Sequence, residues 1–301
     1  MTISVSIITP TANRPHFLSE AIATVRAQTM TDWELIIVDD ASTDGTSAFL
    51  RGLRDPRISW LRCDERRGPA AASNAGLERA RGKYVMFLDD DDLLRPDALE
   101  LLTGALDAQP HAISAAAACR LFHDDGDSVR PYRPARAHTR VMWREFLFGW
   151  WSNSGQNLHR TALVRELGGF DPAVDRVQDR KLWLQLARRG PICVVPNVAM
   201  EYRQHPTQLT KSAGIAPVRE AVWQDFIRQL PRSLQGAARR VRLAAQLVEQ
   251  SRRARLEGHF ARSLWLQTRA GMMAPALVLS PFLGRPFWWG IKKSLLRSSA
   301  S

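Results

Sequence analysis

The chain has 301 residues, 45% apolar and 24% charged, with a formal net charge of +12, a composition that excludes a disordered or fibrous chain. That length holds one large α/β domain with room for an appendage. Its cysteines, Cys63, Cys119 and Cys193, are odd in number and far apart, which excludes a disulfide framework and a CxxC zinc site and fits reduced thiols.

The elements follow in chain order. The opening MTISVSIITPTANRP has no basic segment followed by an apolar one, so no signal peptide is expected. Val5 to Thr9 is a β-branched run stopped by Pro10 and reads as a buried strand. Phe17 to Gln28 reads as a helix, with Phe17, Leu18, Ala21, Ile22 and Val25 at helical spacing. Glu34 to Val38 is a second buried strand, stopped by Asp39 and Asp40. Thr43-Asp44-Gly45 turns the chain into a helix near Ser47 to Leu53, and Ile58 to Arg62 is a third strand. Pro69 to Ala80 is helical and ended by Gly82, and Tyr84 to Leu88 is a fourth strand that runs into Asp89-Asp90-Asp91-Asp92. Pro96 to Leu106 is a further helix. Residues 123–140, polar and rich in Arg and Pro, read as a loop, and 141–205 as a second, mixed half of the same domain. From about Ala216 onward the pattern is helical. The expected division is a domain at 1–215 and a basic helical extension at 216–301.

This alternation of strands and helices specifies an α/β fold with a mostly parallel sheet flanked by helices. Ligands of such sheets bind beyond the carboxyl ends of the strands. Thr9, the Asp39-Asp40 pair and the four aspartates from Asp89 all stand at such ends and should converge on one crevice.

The four-aspartate run is the sharpest chemical signal. Adjacent carboxylates repel, and a folded site that contains them needs a cation. Hard oxygen ligands suit Mg²⁺ or Mn²⁺, shared with substrate phosphates. In an extended segment Asp89 and Asp91 would face one metal. The plain alternative is a solvated acidic turn, with Asp92 capping the next helix. Asp39 or Asp40 suits a base or ribose hydroxyl, and Asp44 beside Gly45 suits a turn into the helix. Neither GxGxxG nor GxxxxGK[ST] is present, which argues against a dinucleotide cofactor and a P-loop.

The run VSIITPTANRP…LSEAIATVRAQTMTDWELIIVDDASTDGT resembles the opening of family 2 glycosyltransferases, which have the GT-A fold. GPAAASNAGLERARGKYVMFLDDDD resembles that family's donor segment ending in its D-x-D motif, and GGFDP…QDRKLWLQLARRG the segment carrying its base. The resemblance covers about residues 3–210. It implies an inverting enzyme that moves a sugar from a nucleoside diphosphate sugar, foremost a UDP-sugar, to a hydroxyl of a glycan or lipid-linked acceptor in cell-surface polysaccharide or glycolipid synthesis. Thr9, Pro10, Asp39, Asp40, Asn74, Asp89 and Asp90 would line the donor site. Asp91, Asp89 and His205 would hold Mn²⁺ or Mg²⁺, and Asp179 would be the base. Asp179 also reads as a helix N-cap. Ser73 stands where many relatives carry an arginine, with Arg66 or Arg67 as possible substitutes. Trp150, Trp151 and Trp183 are candidates for stacking on a sugar or for the core.

The tail carries most of the net charge. Residues 232–301 hold 13 Lys/Arg against Glu249 and Glu257, whereas residues 1–231 hold 29 Lys/Arg against 28 Asp/Glu. Leu234, Ala238, Val241, Ala245 and Val248 form an apolar stripe, with Arg239, Arg240, Arg242, Arg252, Arg253 and Arg255 on the remaining positions. Met272, Met273, Phe282, Phe287, Trp288, Trp289, Lys292 and Lys293 follow, an interfacial composition. The expectation is a protein of the cytoplasm held at the inner face of the cell membrane by anionic lipid, with a helix packed on the domain as the alternative. A nucleotidyltransferase or phosphatase is the rival enzyme class. Leu93 breaks D-x-D-x-T, and Thr9 to Pro15 is not a Gly-rich basic loop. A nucleic-acid-binding protein is the rival suggested by a pI of 10.6. No recognised binding motif supports it, and no nucleic-acid partner is expected.

Overall fold

A computed structural model describes residues 3–123, 128–132, 137–140, 143–148, 153–174, 176–208 and 214–275. The elements run β1 (Val5–Thr11), α1 (Pro15–Arg26), β2 (Trp33–Asp39), α2 (Thr46–Gly52), β3 (Ile58–Arg62), α3 (Pro69–Arg79), β4 (Tyr84–Phe87), β5 (Leu93–Leu94) and α4 (Ala98–Asp107). Then come β6 (Ser114–Phe122), β7 (Ser128–Tyr132), β8 (His138–Arg140), α5 (Trp143–Phe148), β9 (Asn157–Arg160), α6 (Thr161–Glu166), α7 (Gln178–Arg189) and β10 (Ile192–Arg203). Three helices close the described chain: α8 (Ile215–Gln229), α9 (Arg232–Leu256) and α10 (Phe260–Met273).

Contacts divide the chain into two compact units, one of residues 1–141 and 152–219, the other of 142–151 and 220–301. The first unit holds one sheet in the order β3-β2-β1-β4-β9-β6-β10-β5, with β7 on β6 and β8 on β10. The pairs β3-β2, β2-β1 and β1-β4 are parallel, as is β6-β10. β9 runs antiparallel to both its neighbours, so the sheet is parallel at one end and mixed beyond β4. The expected α/β class stands. The parallel strands are apolar on both faces because helices cover them: Val5, Ile7, Ile8, Leu35, Ile36 and Ile37 are all buried.

Two local expectations change. Pro10 does not end β1, which continues to Thr11 and pairs Pro10 with Val38. Ile8 bonds toward β4 through its carbonyl, so Pro10, two residues on, turns the same way. β4 pairs no further than Phe87, and the missing N–H of Pro10 therefore breaks no ladder bond. Residues 123–140 are not all loop either, since β7 and β8 lie within them. Both are short strands paired, among the described residues, along one side only, where Pro and Arg are tolerated and alternation is weak.

Two core polar groups find partners where strands meet, although His159 Nε2 has none among the described residues. His159 Nδ1 lies 2.7 Å from the Ser114 hydroxyl across the β6-β9 pair, and burial pushes the imidazole down to about 3, so this histidine is neutral. Ser6 and Arg81 both bond the buried carboxylate of Glu34 near the start of the parallel strands.

In the second unit, α9 turns Ala238, Val241, Ala245 and Leu247 inward, and the Ser251 hydroxyl meets Ser263 of α10 at 2.9 Å. Arg242 departs from the expected basic face. It is buried, bonded to Glu220 at 2.9 Å, and its guanidinium lies 3.5 Å from the Trp223 ring centre. Helical spacing placed it one position from Val241, on the edge of the apolar stripe, and the Glu220 carboxylate lets that edge be buried. Among the described residues no helix is long and apolar enough to cross a membrane.

Gly82 separates α3 from β4 at a point of close backbone approach. A β-carbon there would stand 2.5 Å from the Ser6 nitrogen and 2.8 Å from the Tyr84 oxygen, and backbone in a sheet cannot yield as a side chain can. Gly82→Ala is expected to lower the stability of the first unit by about 2 kcal/mol or more. Urea unfolding checks this: the midpoint should fall with little change in slope.

Candidate active site

The parallel order β3-β2-β1-β4 puts the carboxyl ends of these strands at one side of the sheet. β1 there delivers Thr9, Pro10 and Thr11; β2 delivers Asp39 and Asp40; and β4 leads into the four aspartates. The Thr11 hydroxyl donates to Asp90 Oδ2 at 2.6 Å, which ties β1 to the acidic turn. Asp89 to Asp92 form a turn rather than an extended run, with the Asp92 N–H on the Asp89 carbonyl.

Each aspartate has its own surroundings. Asp91 is nearly buried, and its Oδ2 receives Arg14 Nη1 at 2.9 Å and faces His205 Nε2 at 2.9 Å. Asp90 takes Arg14 Nη1 at 3.3 Å beside its bond from Thr11. Asp92 does not cap the next helix. It is fully buried and accepts the Arg203 backbone N–H of β10 at 3.1 Å. α4 starts several residues later, at Ala98, too far for that cap. Asp89 is half-buried. Burial, then the charges of Asp91, Asp179 and Asp90, push its carboxyl well above the usual range. Burial and Asp91 push Asp90 up to about 6, against Thr11 and Arg14. Burial, Asp91 and Asp89 push Asp92 up as well. The turn thus holds more negative charge than its basic neighbours offset.

Asp179 lies in the first turn of α7, and its negative charge is one of the causes that raise the proton affinity of Asp89. Burial raises its own affinity for a proton, while Arg180 and the backbone N–H groups of the helix start oppose the shift. The N-cap of α7 is Val177, so the carboxylate meets the helix end from inside the first turn, where an anion is favoured.

The Asp39-Asp40 end is tied down by its own neighbours. Asp39 is fully buried and accepts from the Ser42 N–H at 2.9 Å, the Ser47 hydroxyl at 2.6 Å and Arg62 at 2.9 Å. Burial would raise this carboxyl, yet those donors hold it below the ordinary range. Asp40 accepts the N–H groups of Arg67 and Gly68, fixing the loop before α3. The side chains of Arg66 and Arg67 are exposed, and Ser73 is buried. Asp44 bonds the Thr46 N–H and hydroxyl, the turn expected of it. The Thr9 hydroxyl is buried without a hydrogen-bond partner among the described residues.

Asn74 is committed to the chain. Its amide donates to the Phe170 carbonyl at 2.8 Å and accepts the Phe170 N–H at 2.9 Å. Gly169, at φ +70°, permits this approach, since a β-carbon would lie 2.4 Å from the Asn74 oxygen. Trp183 is core, packed on His159 at 4.5 Å and Phe170 at 6.2 Å. Trp150 and Trp151 lie outside the described residues.

Two arginines and a threonine complete the site without having been singled out in the sequence. Arg203 Nε donates to the Asp91 carbonyl at 3.0 Å, and its guanidinium also bonds Glu20 and lies over Phe17 and Phe122. Arg14 and Thr11 sit in TANRP, directly after the first strand. Their nearness to the β1 end was the available signal.

Among the described residues no three His, Cys, Asp or Glu side chains form a ready-made metal cage. The donor set nonetheless suits a divalent cation of the Mg²⁺ or Mn²⁺ type, which takes one or two carboxylates plus phosphate oxygens. The excess negative charge of the turn favours such an ion.

Comparison with known proteins bears on the family and the fold. The model of a family described as Glycosyl transferase family 2 matches residues 6–166. Over 97 residues the chain is 39% identical to the UDP-Glc:alpha-D-GlcNAc-diphosphoundecaprenol beta-1,3-glucosyltransferase WfgD of Escherichia coli, covering 32% of this chain and 38% of that one. The crystal structure of S. aureus TarS 1–349 in complex with UDP-GlcNAc is similar at a TM-score of 0.68 and 17% identity, covering 89% of this chain and 81% of that one. The mannosyltransferase PcManGT of Pyrobaculum calidifontis, in complex with GDP-Man and Mn²⁺, is similar at a TM-score of 0.57 and 20% identity, covering 97% and 86%. At such identities the structural likeness shows the fold, which is of the GT-A type. The chain spans only 20%, 39% and 30% of the length of three curated relatives that it matches.

Removing the Asn74 amide leaves both polar groups of Phe170 unpaired. Asn74→Ala is expected to cost about 1–3 kcal/mol, read as a lower thermal midpoint. The stabilisation that UDP-sugar adds in the same scans should persist if the amide serves the loop. Its loss would make Asn74 a donor contact.

Proposed function

The chain belongs to glycosyl transferase family 2, and on that premise we propose that it transfers a sugar with inversion from a nucleoside diphosphate sugar, foremost a UDP-sugar, to a hydroxyl of a glycan or lipid-linked acceptor. The observation that carries this reading is the buried acidic turn at the carboxyl end of β4, bonded to Thr11 and Arg14 and facing His205. In this reading Asp179, in the first turn of α7, would be the base. The WfgD name, with its UDP-Glc and diphosphoundecaprenol, supports the donor and acceptor classes. The TarS and PcManGT complexes support a nucleotide-sugar in this fold. Residues 1–215 would carry the chemistry and 216–301 the anchoring, in cell-surface polysaccharide or glycolipid synthesis.

In this reading Thr9, Pro10, Asp39 and Asp40 border the nucleoside pocket, and Asn74, Asp89 and Asp90 border the sugar and diphosphate. Asp39 and Asp40 act as rigid supports, because their carboxylates already hold the adjoining loops. Asp91, with His205 and Asp89, would hold Mn²⁺ or Mg²⁺, whose chemistry is to neutralise charge on the departing diphosphate. The acceptor oxygen forms its bond to the anomeric carbon as the bond to the diphosphate oxygen breaks. The bonding pair of the broken bond leaves with the nucleoside diphosphate, and the acceptor proton passes to an Asp179 carboxylate oxygen. One base and a single in-line displacement invert the anomeric centre. The raised proton affinity of Asp179 suits it to that task.

The second unit supports attachment to an anionic membrane. Among the described residues, the exposed large apolar side chains are Leu243, Leu256, Trp265 and Met272, all on α9 and α10. Trp265, Arg269 and Met272 share one face of α10, and Arg269 lies 4.8 Å from the Trp265 ring centre. Aromatic, basic and apolar groups together suit a lipid headgroup layer. The tail aromatics from Phe282 to Trp289, with Lys292 and Lys293, lie outside the described residues. A peripheral place on the cytoplasmic face follows from this reading.

Two outcomes are expected. Asp179→Asn should keep UDP-sugar binding, measured by thermal shift with Mn²⁺, yet lose about two orders of magnitude or more in turnover. Collapse of donor binding would move Asp179 to the donor site. Wild-type protein should co-sediment with phosphatidylserine vesicles less well at high salt, and Trp265→Ser with Met272→Ser should reduce pelleting several-fold. Unchanged pelleting by the double variant would remove α10 from the interface.

A further inference from the structure

We propose that Arg14 is a resident cation of the acidic turn that competes with a divalent metal for Asp91, so that metal entry requires Arg14 to leave. The inference rests on the reading of Asp91 as a metal-binding residue.

Three contacts define the position of Arg14. Its Nη1 lies 2.9 Å from Asp91 Oδ2 and 3.3 Å from Asp90 Oδ1, and its Nη2 donates to the Thr207 carbonyl at 3.3 Å. The same Asp91 Oδ2 faces His205 Nε2 at 2.9 Å. A carboxylate oxygen offers about two lone-pair sites, and these two neighbours occupy both. A metal bound through that oxygen must displace one of them.

The two differ in what they can do next. An imidazole can itself become a metal ligand. A guanidinium has no lone pair to offer and carries charge of the metal's own sign. A metal taken by His205 Nε2 ends that nitrogen's hydrogen bond to Asp91, so it is the like charge of Arg14, rather than the count of lone pairs, that makes Arg14 the group displaced. The way out is present: the Arg14 side chain is 26% exposed, against 7% and 11% for Asp90 and Asp91. The bond to Thr207 extends the effect. Thr207 also meets His205 Nδ1 through its hydroxyl at 2.8 Å, so the exchange at Asp91 is coupled to the segment that carries the imidazole.

Until then the arginine keeps buried like charges together. It holds the turn assembled at the expense of metal affinity. An acid-rich site with no such cation would bind free Mn²⁺ more tightly.

The test is calorimetric titration of MnCl₂ into wild type, Arg14→Met, Arg14→Lys and Asp91→Asn, with thermal unfolding as the check on folding. Arg14→Met should bind Mn²⁺ about tenfold more tightly than wild type, through loss of one competing cation. Arg14→Lys, which keeps the charge without the planar fork, should fall between them and carries the test if the methionine variant does not fold. Equal or weaker Mn²⁺ binding by these variants, with binding abolished in Asp91→Asn, would overturn competition by Arg14 while leaving Asp91 as the metal residue. Binding that survives Asp91→Asn would overturn the metal reading instead. Absence of binding to both wild type and Arg14→Met would overturn both.

Discussion

The mutual repulsion of four successive carboxylates after β4 is the constraint around which the first unit is organised. In water such a run would be harmless. Here Asp90, Asp91 and Asp92 are buried, and burial multiplies the repulsion. The surroundings answer with donors drawn from three separate elements: Thr11 at the end of β1, Arg14 at the start of α1, and Arg203 at the end of β10. Burial first, and the neighbouring carboxylates second, still raise the proton affinities of Asp89, Asp90 and Asp92. The remaining imbalance makes the turn receptive to a cation and to a substrate that brings one.

The other strand ends behave differently. Asp39 is closed to solvent like Asp92, but it is less densely surrounded, and hydroxyl, backbone and guanidinium donors converge on it, so its proton affinity falls. Two acidic strand ends on one sheet are thus held in opposite electrostatic states. The β2 end is a finished structural knot that shapes a pocket. The β4 end is chemically unfinished, and chemistry is expected there.

Much of this was legible from the sequence because the relevant signals were local. Apolar runs ended by aspartates marked β2 and β4, and helical spacing marked α1 and α7. Three motifs in order identified the family. What escaped depended on contacts distant along the chain. Arg14 and Asp90 are 76 residues apart, and Arg203 and Asp92 are 111 apart. No periodicity encodes such pairings. β7 and β8 were missed because short strands paired along one side have little apolar alternation. Arg242 was placed outside because its cover, Glu220, lies in another helix. The bonds of Asn74 to Phe170 join residues 96 apart and have no local signal either.

The lateness of β10 in the chain has a consequence for how the protein acquires its fold. The strands β1 to β4 lie within the first 87 residues and pair with one another, so the parallel end of the sheet can form while the remainder is still being synthesised. At that stage Asp92 has no Arg203 N–H to accept, and its carboxylate resists burial. The acidic turn must stay open to solvent until residues near 203 have emerged and paired. Pairing of the last large strand with β6 puts both Arg203 and His205 at the turn. A nascent or proteolytically shortened chain that ends before β10 would keep its strand order but lack a closed turn. Such a fragment would be hydrated and inert at the place where the complete chain is most highly charged.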